Sequence, residues 1–281
     1  MGEQRVAIFL MLILSFMLVS IPQIELMKAQ DSIYIRKDGS VEGTDKIQRN
    51  GDIYTLIGNI SGGIQIQKSY IVLDGGGYTV KPNNGNERGI DLRNERHHYP
   101  SRPEIVNVTI KNMRIENFST GIECVNTCND TIISNYIADC GMGINILGSP
   151  NNVLIKNNTI TNCGYNPISI AYSGGVQVIT ENSFIDGNFI IVWLSPEPNV
   201  DRNYWSDYNG TDANADGIGD TPYVYGGDQE TKYIDEHPLM EPVHVIPEFP
   251  SWAILPLLIT ATLVVILYRK RLHGTRQSRR S

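Results

Sequence analysis

Asn107-Val-Thr-Ile-Lys-Asn-Met-Arg-Ile-Glu-Asn-Phe118 is answered by Asn129-Asp-Thr-Ile-Ile-Ser-Asn-Tyr-Ile-Ala-Asp-Cys140. A third copy, Asn152-Val-Leu-Ile-Lys-Asn-Asn-Thr-Ile-Thr-Asn-Cys163, follows with a one-residue slip, and Val176 to Gly187 is a weaker fourth. Ile115, Ile137, Ile160 and Phe184 therefore recur every 22–24 residues or so, a solenoid period. Within each copy Ile alternates with polar residues, the pattern of short strands with one face inward. Stacking such coils pairs their backbones as parallel strands about 4.8 Å apart. Equivalent Ile side chains then form one continuous core, and no coil buries its apolar face alone. Asn suits the corners because it tolerates left-handed backbone, and Gly121, Gly141 and Gly143 are expected to serve the same need. A leucine-rich repeat has a similar length, but its Leu-rich signature is absent. The expected fold is an all-β parallel β-helix.

Asp74-Gly-Gly-Gly77 with Tyr78-Thr-Val80 reads as an earlier, modified coil; no Gly-Lys-Ser/Thr follows to make a phosphate loop. Residues 31–68 are expected to cap the N-terminal end, 69–205 to form the coils and 206–245 to cap the C-terminal end, because open solenoid ends expose unpaired strand edges. Outside these, residues 1–30 read as a signal peptide: Arg5 precedes the apolar run from Val6 to Val19, and Lys28-Ala-Gln30 suits cleavage. A permanent N-terminal membrane helix is the alternative. Residues 246–251 form a linker, and Trp252 to Tyr268 is apolar and long enough to span a bilayer. The basic tail 269–281 then lies in the cytoplasm and everything before Trp252 outside.

The chain carries a net charge of −7; six Lys or Arg and no acid in the tail leave −13 for the remainder. Such an acidic outer domain argues against nucleic acid, whose phosphates need a basic surface, and is compatible with divalent cations.

Ile33-Tyr-Ile-Arg-Lys-Asp-Gly-Ser40, Ile71-Val-Leu-Asp-Gly-Gly-Gly-Tyr78 and the Asn-rich coils resemble the right-handed β-helix domain of the NosD-like "periplasmic copper-binding" family. The likeness continues through Asn203-Tyr-Trp-Ser-Asp-Tyr208 and Asp216-Gly-Ile-Gly-Asp-Thr-Pro-Tyr223 to His237-Pro-Leu-Met240, and is greatest to archaeal surface members. It implies a right-handed solenoid from a group of carbohydrate-binding and sugar-hydrolase β-helices. Pro247-Glu-Phe-Pro250 resembles archaeal sorting signals, which implies exchange of the membrane helix for a lipid anchor. The two prolines also serve as ordinary helix-start punctuation.

Asp212, Asn214, Asp216 and Asp220 place oxygens at positions 1, 3, 5 and 9 of a calcium loop, with Gly217 at position 6 and the Ile218 carbonyl at 7. Tyr223 stands where an EF-hand has its bidentate Glu; calcium is the favoured reading, with an ordinary Asp/Asn/Gly surface loop as the alternative. Calcium, if bound, would fix the cap. Tyr204, Trp205 and Tyr208 are candidates for stacking on sugars or for a lid over the last coil.

Four cysteines in an oxidising compartment imply disulfides, and three pairings are possible. Repeat alignment favours Cys140 with Cys163, leaving Cys124 with Cys128, against the alternative of reduced core filler. Asn59, Asn107, Asn117, Asn129, Asn157 and Asn209 each open a glycosylation sequon. His97-His98, the sole His cluster, lacks a third spaced copper ligand and reads as a solvated loop. No clustered carboxylate pair stands out for sugar hydrolysis; Asp139 and Asp186 share a repeat position that is equally a corner. The leading reading is a membrane-anchored, non-enzymatic surface glycoprotein acting in adhesion or in binding polysaccharide or surface-layer glycan. A carbohydrate-active enzyme and a copper-delivery accessory are the alternatives.

Overall fold

One coil shows how the molecule is built. The chain lays down Val108–Lys111, turns into Arg114–Glu116, turns again into Thr120–Val125, and then returns to start the next coil with Asp130–Ile133. Each of these strands pairs in parallel with its counterparts above and below, so three sheets wrap a single core. The computed structural model describes residues 33–83, 87–93, 105–148, 152–187, 190–227 and 232–243, and over these it forms a parallel β-helix of about six turns. The first sheet runs from Val41–Glu42 and Ile33–Ile35 through Arg88–Arg93 and Thr120–Val125 to Ile190–Trp193. The second contains Val108–Lys111, and the third Arg114–Glu116. No described residue is helical, and no described helix could cross a membrane. Residues 1–30, 246–281 and His97-His98 lie outside the described residues.

The expected apolar row exists in register. Ile60, Val80, Ile115, Ile137, Ile160, Phe184 and Trp205 pair one to the next along the third sheet, and all are buried. Burial of such side chains stabilises by roughly 1.5–3 kcal/mol each before chain entropy is charged against it.

Corners are left-handed, as the Asn-rich sequence predicts, but Gly121, Gly141 and Gly143 do not carry them. Asn112, Ser134, Asn157, Glu181 and Arg202 hold φ of 54–61° at one corner, and Asn117, Asp139, Asn162 and Asp186 hold 49–66° at another. Gly121 and Gly143 are instead required by close approach. A Cβ on Gly121 would stand 2.6 Å from the Gly143 carbonyl oxygen, and one on Gly143 would stand 2.5 Å from that of Pro167.

Just inside the first of these corners, Asn135, Asn158, Asn182 and Asn203 stack into a buried ladder. Each side-chain oxygen accepts the backbone N–H of the preceding coil, and each amide donates to carbonyls: Asn158 Oδ1 takes Asn135 N–H at 2.9 Å, and Asn158 Nδ2 reaches Ile132 O at 2.9 Å. The ladder ends on Asp235, fully buried, whose carboxylate accepts the N–H groups of Arg202 and Asn203 and the Trp205 indole, each at 3.0 Å.

The two ends close differently. At the N-terminus, Ile47–Asn50 folds back antiparallel on Ile53–Leu56 and Val41–Glu42 on Ile33–Ile35, so the region expected as a cap also contributes strands to the coils. At the C-terminus, Tyr223–Gly227 and Lys232–Asp235 form an antiparallel pair. Rings of Phe184, Trp205 and Tyr223 stack over the last coil at centroid separations of 4.5 and 4.6 Å.

Candidate functional site

The first sheet brings together residues that sequence spacing kept apart. Register pairing sets Tyr34, Gln65, Asp91, Glu123, Asn145, Ser169 and Ile191 one above another. Their neighbours along each strand point into the core, so alternation turns this row outward. Asp91 and Glu123 stand on adjacent coils and are only 8% and 6% exposed. Arg93 donates Nε to both Asp91 oxygens at 2.9 Å and Nη2 at 2.6 Å, a fork geometry that fixes both groups. Arg88 donates through Nε to Glu123, and Asn145 Nδ2 approaches the other Glu123 oxygen at 3.4 Å.

Beside that row runs a second one of Arg93, Val125, Leu147, Ala171 and Trp193. It ends on Trp193, 54% exposed, whose ring meets Tyr172 edge-on at 4.8 Å; Tyr172 is itself 41% exposed. Tyr172 and Leu194 hold φ of 52° and 47°, unusual for large side chains, and the corner presents both to solvent. The face therefore grades from ion-paired and polar to aromatic. No carboxylate pair was expected from sequence, because Asp91 and Glu123 are 32 residues apart and the insertion after Arg93 hides their shared register. The row Asp139 and Asp186 would have made is a left-handed corner, with Asn162 between them donating to Asp139 at 2.6 Å.

The aromatic candidates resolve toward the lid. Trp205 is 0% exposed, stacked and bonded to Asp235, so it cannot meet a sugar. Tyr208 donates its hydroxyl to the Thr221 carbonyl at 2.7 Å, and Tyr204 lies half-buried on the last coil. Tyr172 and Trp193 are exposed beside the first sheet; the signal in sequence is Tyr172, an aromatic at the corner that Asn126 and Gly148 hold on earlier coils, with Trp193 on the strand of the next.

The oxygen-rich loop winds around its own N–H groups. Asp212 accepts from Asp216 N at 3.2 Å and Gly217 N at 2.9 Å, Asp216 from Ile218 N at 2.9 Å, and Asp220 from Ala213 N at 2.9 Å. Asn214 Nδ2 lies 3.0 Å from Asp216. Ala215 and Gly217 take φ of 57° and 83°, which closes the loop, and Ile218 bridges to Leu239. Three carboxylates and an amide thus share one small loop, a donor set that suits a hard cation. Even so, no group of three or more His, Cys, Asp or Glu side chains is gathered as a metal centre among the described residues.

The structure bridges none of the four cysteines, each standing as a free thiol where the sequence leads us to expect two disulfides, Cys140–Cys163 and Cys124–Cys128. Cys140 and Cys163 do occupy the same site on adjacent coils, but their sulfurs turn to the Ala138 and Thr161 carbonyls at 3.3 and 3.6 Å. Burial pushes these thiols up to about 11 and about 12, and Cys124 well above its ordinary value. Cys128 is half-buried in a separate short strand, Thr127–Cys128. Asn59, Asn107, Asn117, Asn129 and Asn209 are exposed at their sequons, whereas Asn157 is half-buried and donates to Ser134 Oγ at 2.9 Å.

Among known families, a model described as a right handed beta helix region matches residues 27–205. No curated protein and no solved structure matches the chain.

Proposed function

The chain belongs to the right-handed β-helix family, and from that premise we propose that it is an exported surface glycoprotein that binds polysaccharide along the outside of its first sheet. The observation that carries this reading is the in-register row from Gln65 to Ser169, running beside one that ends on the Tyr172–Trp193 pair. A linear glycan lying along the solenoid axis would meet the partly exposed polar side chains Gln65, Asn145 and Ser169, pass the ion-paired Asp91 and Glu123, and reach an aromatic platform for a sugar's apolar face. Likeness to NosD-like archaeal surface proteins supports an extracellular role. The apolar segment 252–268 with its basic tail would hold the protein on the outer face of the membrane, unless sorting at Pro247-Glu-Phe-Pro250 replaces the helix by a lipid. Calcium bound at Asp212, Asn214, Asp216, Ile218 and Asp220 would brace the C-terminal cap.

One observation favours a second reading, a glycoside hydrolase. Asp91 and Glu123 sit one coil apart, and a coil spacing of about 4.8 Å is close to the roughly 5 Å between carboxyls in retaining enzymes. Against it, both carboxylates are almost enclosed and each is engaged by an arginine. One experiment separates the two. The intact protein is incubated with a panel of polysaccharides, and retained protein and new reducing ends are measured in the same samples. Retention without new ends, weakened by Trp193→Ala, supports binding. New ends that vanish in Glu123→Gln would replace binding by hydrolysis, and no retention on any glycan would sink the proposal.

A further inference from the structure

Resting on the polysaccharide-binding reading, we infer that the glycan is a neutral one: the first-sheet face is built to exclude uronate and sulfate polymers. Among the described residues, the arginines of this face are already paired with carboxylates. Arg36 lies on Glu42 with Nε at 2.8 Å, Arg88 on Glu123, and Arg93 on Asp91. Each of these guanidinium groups therefore has a carboxylate of its own, and the described residues of the face carry no net positive charge to offer an acidic chain.

The partners of these arginines are too enclosed to be displaced cheaply. Glu123 is 6% exposed, so drawing Arg88 away toward a ligand carboxylate would leave a nearly buried charge unpaired. The other described residues of the two rows are uncharged: Gln65, Asn145 and Ser169 offer amides and a hydroxyl, while Val125, Leu147 and Trp193 offer apolar contact. Such a mixture suits hydroxyls and the C–H faces of hexose rings. Longer-range charge acts in the same sense, because a domain carrying −13 outside the tail repels polyanions at low salt.

Affinity electrophoresis of the intact protein tests this with a neutral glucan, a neutral mannan, polygalacturonate and a sulfated dextran, each at low and high salt and with calcium or a chelator. Neutral chains are expected to retard the protein with a change under about twofold between the salts, because no ion pair is made. Trp193→Ala is expected to weaken that retardation about fivefold to tenfold. Tyr70→Ala, exposed on the corner before the second sheet, should leave it unchanged. Coincident melting curves for the variants and the parent confirm intact folds. Salt-sensitive retardation by polygalacturonate or sulfated dextran in chelator, lost in Arg88→Gln, would overturn neutral selectivity while leaving polysaccharide binding in place. Retardation by none of the four would overturn both.

Discussion

Asp130 is the residue whose environment conflicts most with its chemistry. It faces inward in the position that Ile71, Val108 and Val153 fill on other coils, and it is only 1% exposed. Its Oδ1 accepts Val108 N–H at 2.9 Å, while Oδ2 has no hydrogen-bond partner. Burial raises the carboxyl to about 6 from 3.8, with hydrogen bonds from Thr127 and Val108 N–H pulling partly back. The folded state then holds its proton more tightly than the unfolded chain does. Its contribution is fully present below about 4 and is lost as pH rises through about 6, at a cost of about 3 kcal/mol above that window. Asp130→Asn should raise the melting temperature at pH 8 and change it little at pH 4; equal shifts at both would show that ionisation is not the cause. The cysteines give a second residue-scale expectation. In the native protein, thiol reagent at pH 8 should modify Cys128 quickly and the three buried thiols slowly, with four thiols counted after denaturation. Two or fewer in denaturant would restore a disulfide.

At the scale of the element, the Asn ladder does what no apolar residue can do inside a solenoid. It joins coils through side chains while satisfying backbone groups that the corner leaves unpaired. Asn158→Leu would strip an acceptor from Asn135 N–H and a donor from Ile132 O, both buried. Each orphaned group costs about 1–3 kcal/mol, so a loss of about 3 kcal/mol is expected in urea unfolding, against under about 0.5 kcal/mol for exposed Asn152→Ser. Similar losses from the two would deny the ladder its role. The strand period and the third-sheet core were legible because Ile115, Ile137 and Ile160 repeat with no more than a one-residue slip between them. The ladder was not, because Asn157 and Asn158 look alike in sequence although one takes the left-handed corner and the other points inward. Glycine was misread for a related reason: composition shows that Gly121 is small at a bend, but not whether the bend needs its φ or the next coil needs its space. Asp91 and Glu123 escaped because a register interrupted by an insertion cannot be counted along the chain.

For the molecule as a whole, a solenoid's stability is close to a sum of coil terms and neighbour terms, so its ends govern where unfolding starts. The C-terminal end is tied by few but central links. Asp235 closes the ladder, Leu239 N–H reaches Asn203 O at 2.9 Å, and Met240 N–H reaches Gly217 O at 3.0 Å within the oxygen-rich loop. Tyr208 supports that loop from below, its hydroxyl lying where a Cβ on Gly210 or Gly219 would fall. A cation held by Asp212, Asn214, Asp216 and Asp220 would thus be coupled through Gly217 and Met240 to the last coil, and loss of the cation would loosen both. At a hundredfold excess over its Kd, calcium should stabilise the folded protein by about 2.7 kcal/mol. With chelator, limited proteolysis should open residues 206–240 first, while the coils from Val108 to Thr180 resist. Asp216→Asn should behave like the chelated protein and gain nothing from added calcium. Identical melting curves and cleavage patterns with calcium and with chelator would show instead that the loop's own N–H groups are the only partners its carboxylates require.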